Sequence, residues 1–187
     1  MATTVEPIAG KKTTWQLDSA HTSAEFAVKH LMISTVKGRF SEVSASLKGS
    51  LDDPSRFQLD VVIPVDSIDT RQTQRDAHLR SPDFFDAENF PVIRFRGKRV
   101  DGDVSTEFAL FGDLTIRDVT REIKLQVTNE GTVRDPWGTD RVGFSAKAKL
   151  DRRDFGLKYN QALETGGFLV GDEVKISIDA EFTAAAE

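Results

Sequence analysis

The side chains that could do chemistry are few and widely spaced. The chain of 187 residues has three histidines, His21, His30 and His78, and no cysteine. Two histidines and a carboxylate can hold a metal ion, and Asp76 stands two residues before His78 in a predicted helix. No His-x-x-x-His pair is present, and the odd separation of His21 from His30 places them on opposite faces of a regular strand. We therefore expect hydrogen-bonded structural histidines and no metal site.

Motifs of nucleophilic or phosphate chemistry are absent from the sequence. It contains no Gly-x-Ser-x-Gly elbow and no glycine-rich phosphate loop. Paired carboxylates, such as Asp52 with Asp53 and Asp83 with Asp86, lie in turn-like segments where aspartate hydrogen-bonds the backbone. Arg152 leaves two interpretations open, namely an ion-paired strand end or a cation placed over a ligand head group.

Most of the chain alternates apolar and polar residues, as half-buried strands do. The last segment is the clearest, with one apolar parity from Val174 to Phe182. Other strands are predicted at 13–17, 23–30, 38–51, 57–63, 92–100, 104–116, 123–128 and 142–150. A change of phase within 38–51 predicts a β-bulge near Ser41 and Glu42. Turns are predicted at 101–102, 117–118 and 135–138.

The remaining elements are few, and they fit one domain. A helix is predicted at 70–80, with Asp69 and Gln72 as a capping box, and a short helical turn at 160–165. Residues 1–12 and 184–187 are predicted as tails around a single domain at 13–183. Many short strands joined by hairpins indicate an all-β fold with one or two short helices.

Composition and charge exclude several classes of protein. Apolar residues make up 39% and charged residues 29% of the chain, which is typical of a globular domain. The net charge of −5 and the interleaved signs argue against a nucleic-acid partner. No segment has the roughly 20 apolar residues that span a bilayer, and the first residues lack the apolar run of a signal peptide. We expect a cytoplasmic protein without stable membrane insertion.

The apolar faces fit two kinds of interior. A barrel of about eight strands can be packed solid or can hold one small ligand. The chain has 13 phenylalanines, but small residues share their faces, as Ala24 does with Phe26 and Ala146 with Phe144. Small residues between large ones leave space, and an apolar group at 79–85 could close a barrel mouth. The residues alone leave the solid and the hollow interior equally supported.

Short motifs along residues 15–182 resemble the YceI-like family of polyisoprenoid-binding proteins. The matching segments are Trp15-Gln16-Leu17-Asp18, His21-Thr22-Ser23-Ala24-Glu25-Phe26, His30, Gly38-Arg39-Phe40, Ser67-Ile68-Asp69-Thr70, Arg75-Asp76-Ala77-His78-Leu79, Ser81-Pro82-Asp83-Phe84-Phe85-Asp86, Phe90-Pro91-Val92-Ile93-Arg94-Phe95, Gly112-Asp113-Leu114-Thr115-Ile116 and Arg153-Asp154-Phe155-Gly156. The chain departs from the family at Asp118, where glycine is common, and at Thr22, where serine is usual. Both changes are conservative for a turn and a strand.

The resemblance implies a single extended, lipocalin-like antiparallel barrel of about eight strands with an internal apolar tunnel. It implies binding, transport or storage of a long-chain isoprenoid lipid, such as a polyprenyl chain or an isoprenoid quinone-like molecule. On that basis we expect no enzyme activity and no required cofactor, with the bound lipid as ligand, and the family is compatible with a homodimer.

The predicted site has a wall and a head-group end. The wall residues are Phe26, Val28, Phe40, Leu59, Val61, Ile63, Phe95, Leu110, Leu114, Leu125, Phe144, Leu150, Phe155, Ile176 and Ile178. The head-group candidates are His21, His30, His78 and Arg152. Two alternatives remain, which are an enzyme acting on a small lipid with His78 and Asp76 as acid–base pair, and a structural or stress-protective protein with a solid core.

Overall fold

The computed structural model describes residues 13–49 and 56–185. Its strands are β1 (Thr13–Leu17), β2 (Ser23–His30), β3 (Ser34–Phe40), β4 (Ser44–Gly49), β5 (Gln58–Pro64), β6 (Ile68–Asp69), β7 (Val92–Gly102), β8 (Glu107–Ile116), β9 (Val119–Arg134), β10 (Asp140–Asp151) and β11 (Val170–Ala184). The helix α1 covers Thr73–Arg80, and 3-10 turns cover Ser19–His21, Val65–Ser67 and Arg152–Phe155. The predicted tail at 1–12 and the last two residues of the predicted tail at 184–187 lie outside the described residues; Ala184 belongs to β11, so the second tail begins later than predicted.

Eight strands close into an antiparallel barrel. Their order is β1-β4-β5-β7-β8-β9-β10-β11, and the ring closes because Trp15 on β1 pairs with Leu47 on β4 and with Ala184 on β11. The first part of β11 pairs instead with β2, where Ile176 faces Phe26, and β3 and β6 continue that edge. The long strand β11 therefore pairs with β2 in its first part and with β1 at its end. This confirms the predicted extended antiparallel barrel.

The predicted bulged strand at 38–51 is wrong. The chain leaves the sheet after Phe40 and enters it again at Ser44, so that β3 and β4 are separate strands. They have different neighbours, since β3 pairs with β2 and β6 while β4 pairs with β1 and β5. The change of phase in the sequence marks a passage between two parts of the sheet, and the end of the predicted strand lies outside the described residues.

The turns follow the predictions in two of three places. Arg117, with φ of 57°, turns the chain between the paired ends of β8 and β9, so the left-handed residue is not the expected Asp118. The 135–138 turn is present, with the amide of Gly138 donating to the carbonyl of Asp135 at 3.0 Å. The hairpin predicted at 101–102 turns instead at 103–106, because β7 remains paired through Gly102.

The helix is shorter than predicted and is capped differently. Gln72 caps it, with Oε1 accepting from the amide of Arg75 at 2.6 Å. Asp69 accepts from the amide of Arg71 at 2.8 Å, so it does not form the predicted capping box. Residues 160–165 form turns around an isolated bridge and not a second helix. Within the described ranges, no helix has the length and apolarity to cross a membrane.

Candidate functional site

The interior of the barrel contains a cavity of about 320 Å³. An engineered apolar cavity of about 150 Å³ stays dry and binds benzene, so this space is large enough for a bigger apolar ligand. Its polar lining residues among those described are Thr22, Lys98, Arg99 and Arg152, and the rest of the wall is apolar apart from a glycine. Of the two interiors that the sequence allowed, the structure supports the hollow one.

All fifteen side chains predicted for the wall line this cavity. They come from β2, β3, β5, β7, β8, β9, β10, β11 and the 3-10 turn at Arg152–Phe155. Period-two alternation explains the agreement, because residues of one parity along a strand share a face. Their contact with a ligand stays a prediction.

Further wall residues were not among those predicted. Several of them lie on the same strand face as a predicted wall residue, as Val174 does with Ile176. Alternation along the strand could therefore have identified them. Others belong to β4 or to loops, where local alternation gives little information. These wall residues are Leu17, Ala24, Val43, Ala45, Leu47, Phe57, Leu79, Phe84, Phe85, Ile93, Val100, Phe108, Ile116, Ile123, Val127, Ala146, Leu157, Val170, Val174, Ala180 and Phe182.

Cross-strand register aligns part of the cavity wall. One row runs from Ala148 on β10 through Ile176 on β11 and Phe26 on β2 to Gly38 on β3. A small residue stands at each end of this row, so the larger side chains of Ile176 and Phe26 lie between Ala148 and Gly38. The Phe26 ring lies over Gly38, since a Cβ added there would be 2.4 Å from its Cζ atom. Within this row Ile176 and Phe26 line the cavity, and the contact of Phe26 with Gly38 positions its ring in the wall.

Aromatic rings connect the helix to the segment after the last 3-10 turn. The His78 ring is 4.8 Å from the Tyr159 ring and 5.1 Å from the Phe84 ring, both in edge-to-face geometry. His78 Nε2 also lies 2.8 Å from Asp83 Oδ2. Because Phe84 and Phe85 both line the cavity, this cluster connects the helix to the cavity wall.

Asp76 has a structural role in the same helix. Its buried carboxylate accepts from the Thr70 amide at 2.9 Å and from the Thr70 hydroxyl at 2.5 Å. Arg75 donates to the same hydroxyl at 2.7 Å. His78 pairs with Asp83 and Asp76 with Thr70, so the structure does not assemble the acid–base pair that the enzyme alternative requires.

Arg152 alone among the four head-group candidates lines the cavity. Its five N–H donors are all used: Nε bonds to the Gly171 carbonyl, Nη1 to those of Leu157 and Tyr159, and Nη2 to Val170 and Asp172. Burial lowers the pKa of this guanidinium. These bonds favour the structural interpretation of Arg152, whose side chain fastens β11 to the segment after the 3-10 turn.

His21 belongs to a charged network outside the cavity. Its Nδ1 atom lies 3.0 Å from Asp18 Oδ2, and Arg141 binds Asp18 at 2.9 Å, Asp135 at 2.8 Å and also Glu181. The hydrogen bond from His21, followed by that from Arg141, lowers the pKa of Asp18 to about 2, and the same contact raises the pKa of His21. Ligand atoms of Asp18, His21 and Glu181 lie within 4.8 Å of one another, but the guanidinium already supplies their positive charge.

The other two histidines also lie away from the wall. His30 ends β2 and pairs with Ser34 and Val170, and His78 belongs to the aromatic cluster. Neither lines the cavity. A head-group role for His21, His30 or His78 stays a prediction.

The fold and the site together define the class of protein, which is a closed antiparallel β-barrel with an apolar internal cavity. The chain belongs to the YceI-like domain family, whose model matches residues 15–182. It is 38% identical over 172 residues to a UPF0312 protein of Staphylococcus aureus, covering 91% of this chain and 98% of the relative.

Solved structures show the same fold. The Campylobacter jejuni YceI protein superposes with a TM-score of 0.71 at 31% identity, covering 85% of this chain and 90% of that one. A polyisoprenoid-binding domain from Saccharophagus degradans, implicated in plant cell wall breakdown, has a TM-score of 0.70 at 15% identity, covering 94% and 100% of the two chains.

Proposed function

We propose that the protein binds a long-chain isoprenoid lipid inside the barrel and transports or stores it. The observation that carries the proposal is the cavity of about 320 Å³ inside the barrel, with its apolar wall. The ligand class fits a polyprenyl chain or an isoprenoid quinone-like molecule, and the S. degradans domain of the same fold is described as polyisoprenoid-binding.

The affinity of such a site needs no directed polar contact. Each methylene removed from water stabilises a complex by about 0.8 kcal/mol, so a chain of many carbons accumulates binding energy along the wall. Selectivity along the tail is then set by the length and width of the cavity. In this proposal the head group lies at an end of the cavity, and Arg152 is the predicted head-group residue that lines it.

The wall favours binding without catalysis. Of its charged residues, Lys98 bonds to Asp113 at 2.7 Å, and Arg99 lies 3.4 Å from the centre of the Phe111 ring. Arg152 donates its hydrogen bonds to backbone carbonyls and to Asp172. No second candidate function has an observation of equal weight, and the proposed binding requires no cofactor.

Mass spectrometry of material extracted from the natively purified protein tests the proposal. The expected result is a long-chain prenyl lipid in stoichiometric amount, and much less of it from an Ile176→Trp variant with a reduced cavity. An empty protein, or one holding only lipids without prenyl units, would refute the proposal. Conversion of an added prenyl lipid, lost on His78→Ala, would support the enzyme alternative.

A further inference from the structure

A cluster of lysines covers part of the outer surface. Lys37 on β3, Lys175 on β11, and Lys147 and Lys149 on β10 surround a shallow depression, which we call the lysine face. Glu25 is the one carboxylate that lines it among the described residues. The whole chain has a net charge of −5, so the lysine face opposes the overall charge of the protein.

The register of the strands places these lysines close together, which costs electrostatic free energy. Lys149 stands directly opposite Lys175, and Lys175 is followed across the sheet by Ala27 and then Lys37. Like charges opposite each other destabilise a sheet. Glu173 offsets part of this cost, at 3.8 Å from Lys149.

The opposite side of the barrel pairs its charges instead. On β5 and β7, Asp60 stands opposite Arg96 at 3.1 Å. The lysine face therefore differs from this part of the sheet, and its excess of positive charge indicates an anionic partner.

An exposed apolar tip lies at the end of the same strands. At the β2–β3 hairpin, Met32 is 59% exposed and Ile33 is 83% exposed, and Phe168 nearby is 54% exposed. The amide of Leu31 donates to the carbonyl of Leu169 at 2.9 Å, which holds Phe168 beside the hairpin. We call Met32, Ile33 and Phe168 the apolar tip.

The hairpin turn is held in an unusual conformation. Leu31 and Met32 have φ values of 51° and 61°, in the left-handed region that glycine and asparagine normally occupy. Backbone strain and exposed apolar side chains both cost free energy in water. Contact of these side chains with an apolar phase would account for their presence here.

The apolar tip is close to both the lysine face and the cavity. Ala27, in the row of Lys37 and Lys175, precedes Leu31 by four residues, a distance of about 13 Å along a strand. Val28 and Val170 line the cavity on the two strands that lead to the tip. Cations, exposed apolar side chains and one end of the cavity thus lie together.

We propose that this end of the molecule docks on an anionic lipid bilayer, with the apolar tip in the acyl boundary and the lysine face against the head groups. Amphipathic surfaces bind bilayers through this combination of apolar insertion and attraction to anionic lipids. Docking goes beyond the proposed lipid binding, and it is measurable whether or not the cavity holds a prenyl chain.

The opposite end of the barrel provides a contrast. Trp137 is 85% exposed in the turn between β9 and β10, but Asp135 and Asp140 flank it. Arg141 and Arg134 neutralise those carboxylates, which leaves no excess of positive charge there. An anionic surface is therefore expected to prefer the end with the lysine face.

Co-sedimentation of the full chain with vesicles tests the docking. We expect binding to vesicles of equal parts phosphatidylcholine and phosphatidylglycerol, weak binding to phosphatidylcholine alone, and release at high salt. The double variant Lys37→Gln/Lys175→Gln should bind about 30-fold more weakly, at about fivefold per lysine. The matched control Lys48→Gln/Arg94→Gln, with the same change of charge elsewhere on the barrel, should bind like wild type.

The apolar tip is tested by a second pair of variants. Ile33→Ser should weaken binding by about tenfold, whereas Trp137→Ser, at an equally exposed site on the other end, should leave it unchanged. The docking proposal would be overturned by equal binding to neutral and anionic vesicles, or by equal effects of a variant and its matched control. Binding to nucleic acid or acidic protein in place of vesicles would also overturn it. Vesicle binding by a protein that purifies without prenyl lipid would refute the proposed function and leave docking intact.

Discussion

A tryptophan in the cavity wall gives a graded test of ligand binding. Phe144 on β10 and Ile176 on β11 are half-buried and both line the cavity. Replacing either with tryptophan adds side-chain atoms on the inner face, where the structure has space, while the strand pairing is preserved. Asp179→Trp is the matched control, since Asp179 is an exposed β11 residue paired with Ser145 and Ser23.

The magnitude follows from the atoms that the larger side chain displaces. Tryptophan adds about three non-hydrogen atoms over phenylalanine and about six over isoleucine, and each methylene lost from the complex costs about 0.8 kcal/mol. Phe144→Trp then weakens binding by about 2.4 kcal/mol, or roughly 60-fold, and Ile176→Trp by about 5 kcal/mol, more than a thousandfold. The larger substitution must have the larger effect.

Titration calorimetry with geranylgeraniol as the prenyl probe measures both variants against the control. Circular dichroism and urea unfolding are needed in parallel, because overpacking costs about 1–3 kcal/mol of stability. If both variants fold and bind the probe as tightly as wild type, the ligand does not occupy the space beside these residues. An equal loss in Asp179→Trp would show that the effect does not arise in the cavity.

Two further substitutions test the packing and the charged network. Gly38→Ala would place a Cβ 2.4 Å from Phe26 Cζ and 2.8 Å from Thr70 Cγ2, so we expect a loss of about 1–3 kcal/mol in the free energy of unfolding; an unchanged urea midpoint would contradict this. The pKa of Asp18, lowered to about 2 by His21 and Arg141, means that its stabilisation is present above pH 4, the ordinary value, and is lost as pH falls towards 2. Asp18→Asn should therefore be less stable than wild type at neutral pH, and a stability difference that persists undiminished at pH 2 would count against the network.

Strand faces were predictable because alternation is a local property. The parity of Phe144, Ala146 and Ala148 on β10, or of Ile176 and Ile178 on β11, can be seen within a few residues of sequence. Each of these side chains lines the cavity or packs against the core cluster. The family was likewise indicated by short motifs, and the match over 15–182 confirms it.

Roles that depend on distant partners were not predictable. Nothing near Arg152 in the sequence shows that the carbonyl of Gly171 and the carboxylate of Asp172 satisfy its donors. In the same way, the His78 ring packs against that of Tyr159, which lies 81 residues further along the chain (159 minus 78). These partners are set by packing between elements, for which local spacing carries no information.

The sequence by itself determined which residues face inward, that small residues are spaced among large ones, and to which family the chain belongs. Only the tertiary structure decided that 38–51 is two strands, that Ala148, Ile176, Phe26 and Gly38 form one row, and that Lys149 stands opposite Lys175. The physical reason is that pairing register joins strands far apart in the chain, and a shift by one residue would exchange the inner and outer faces.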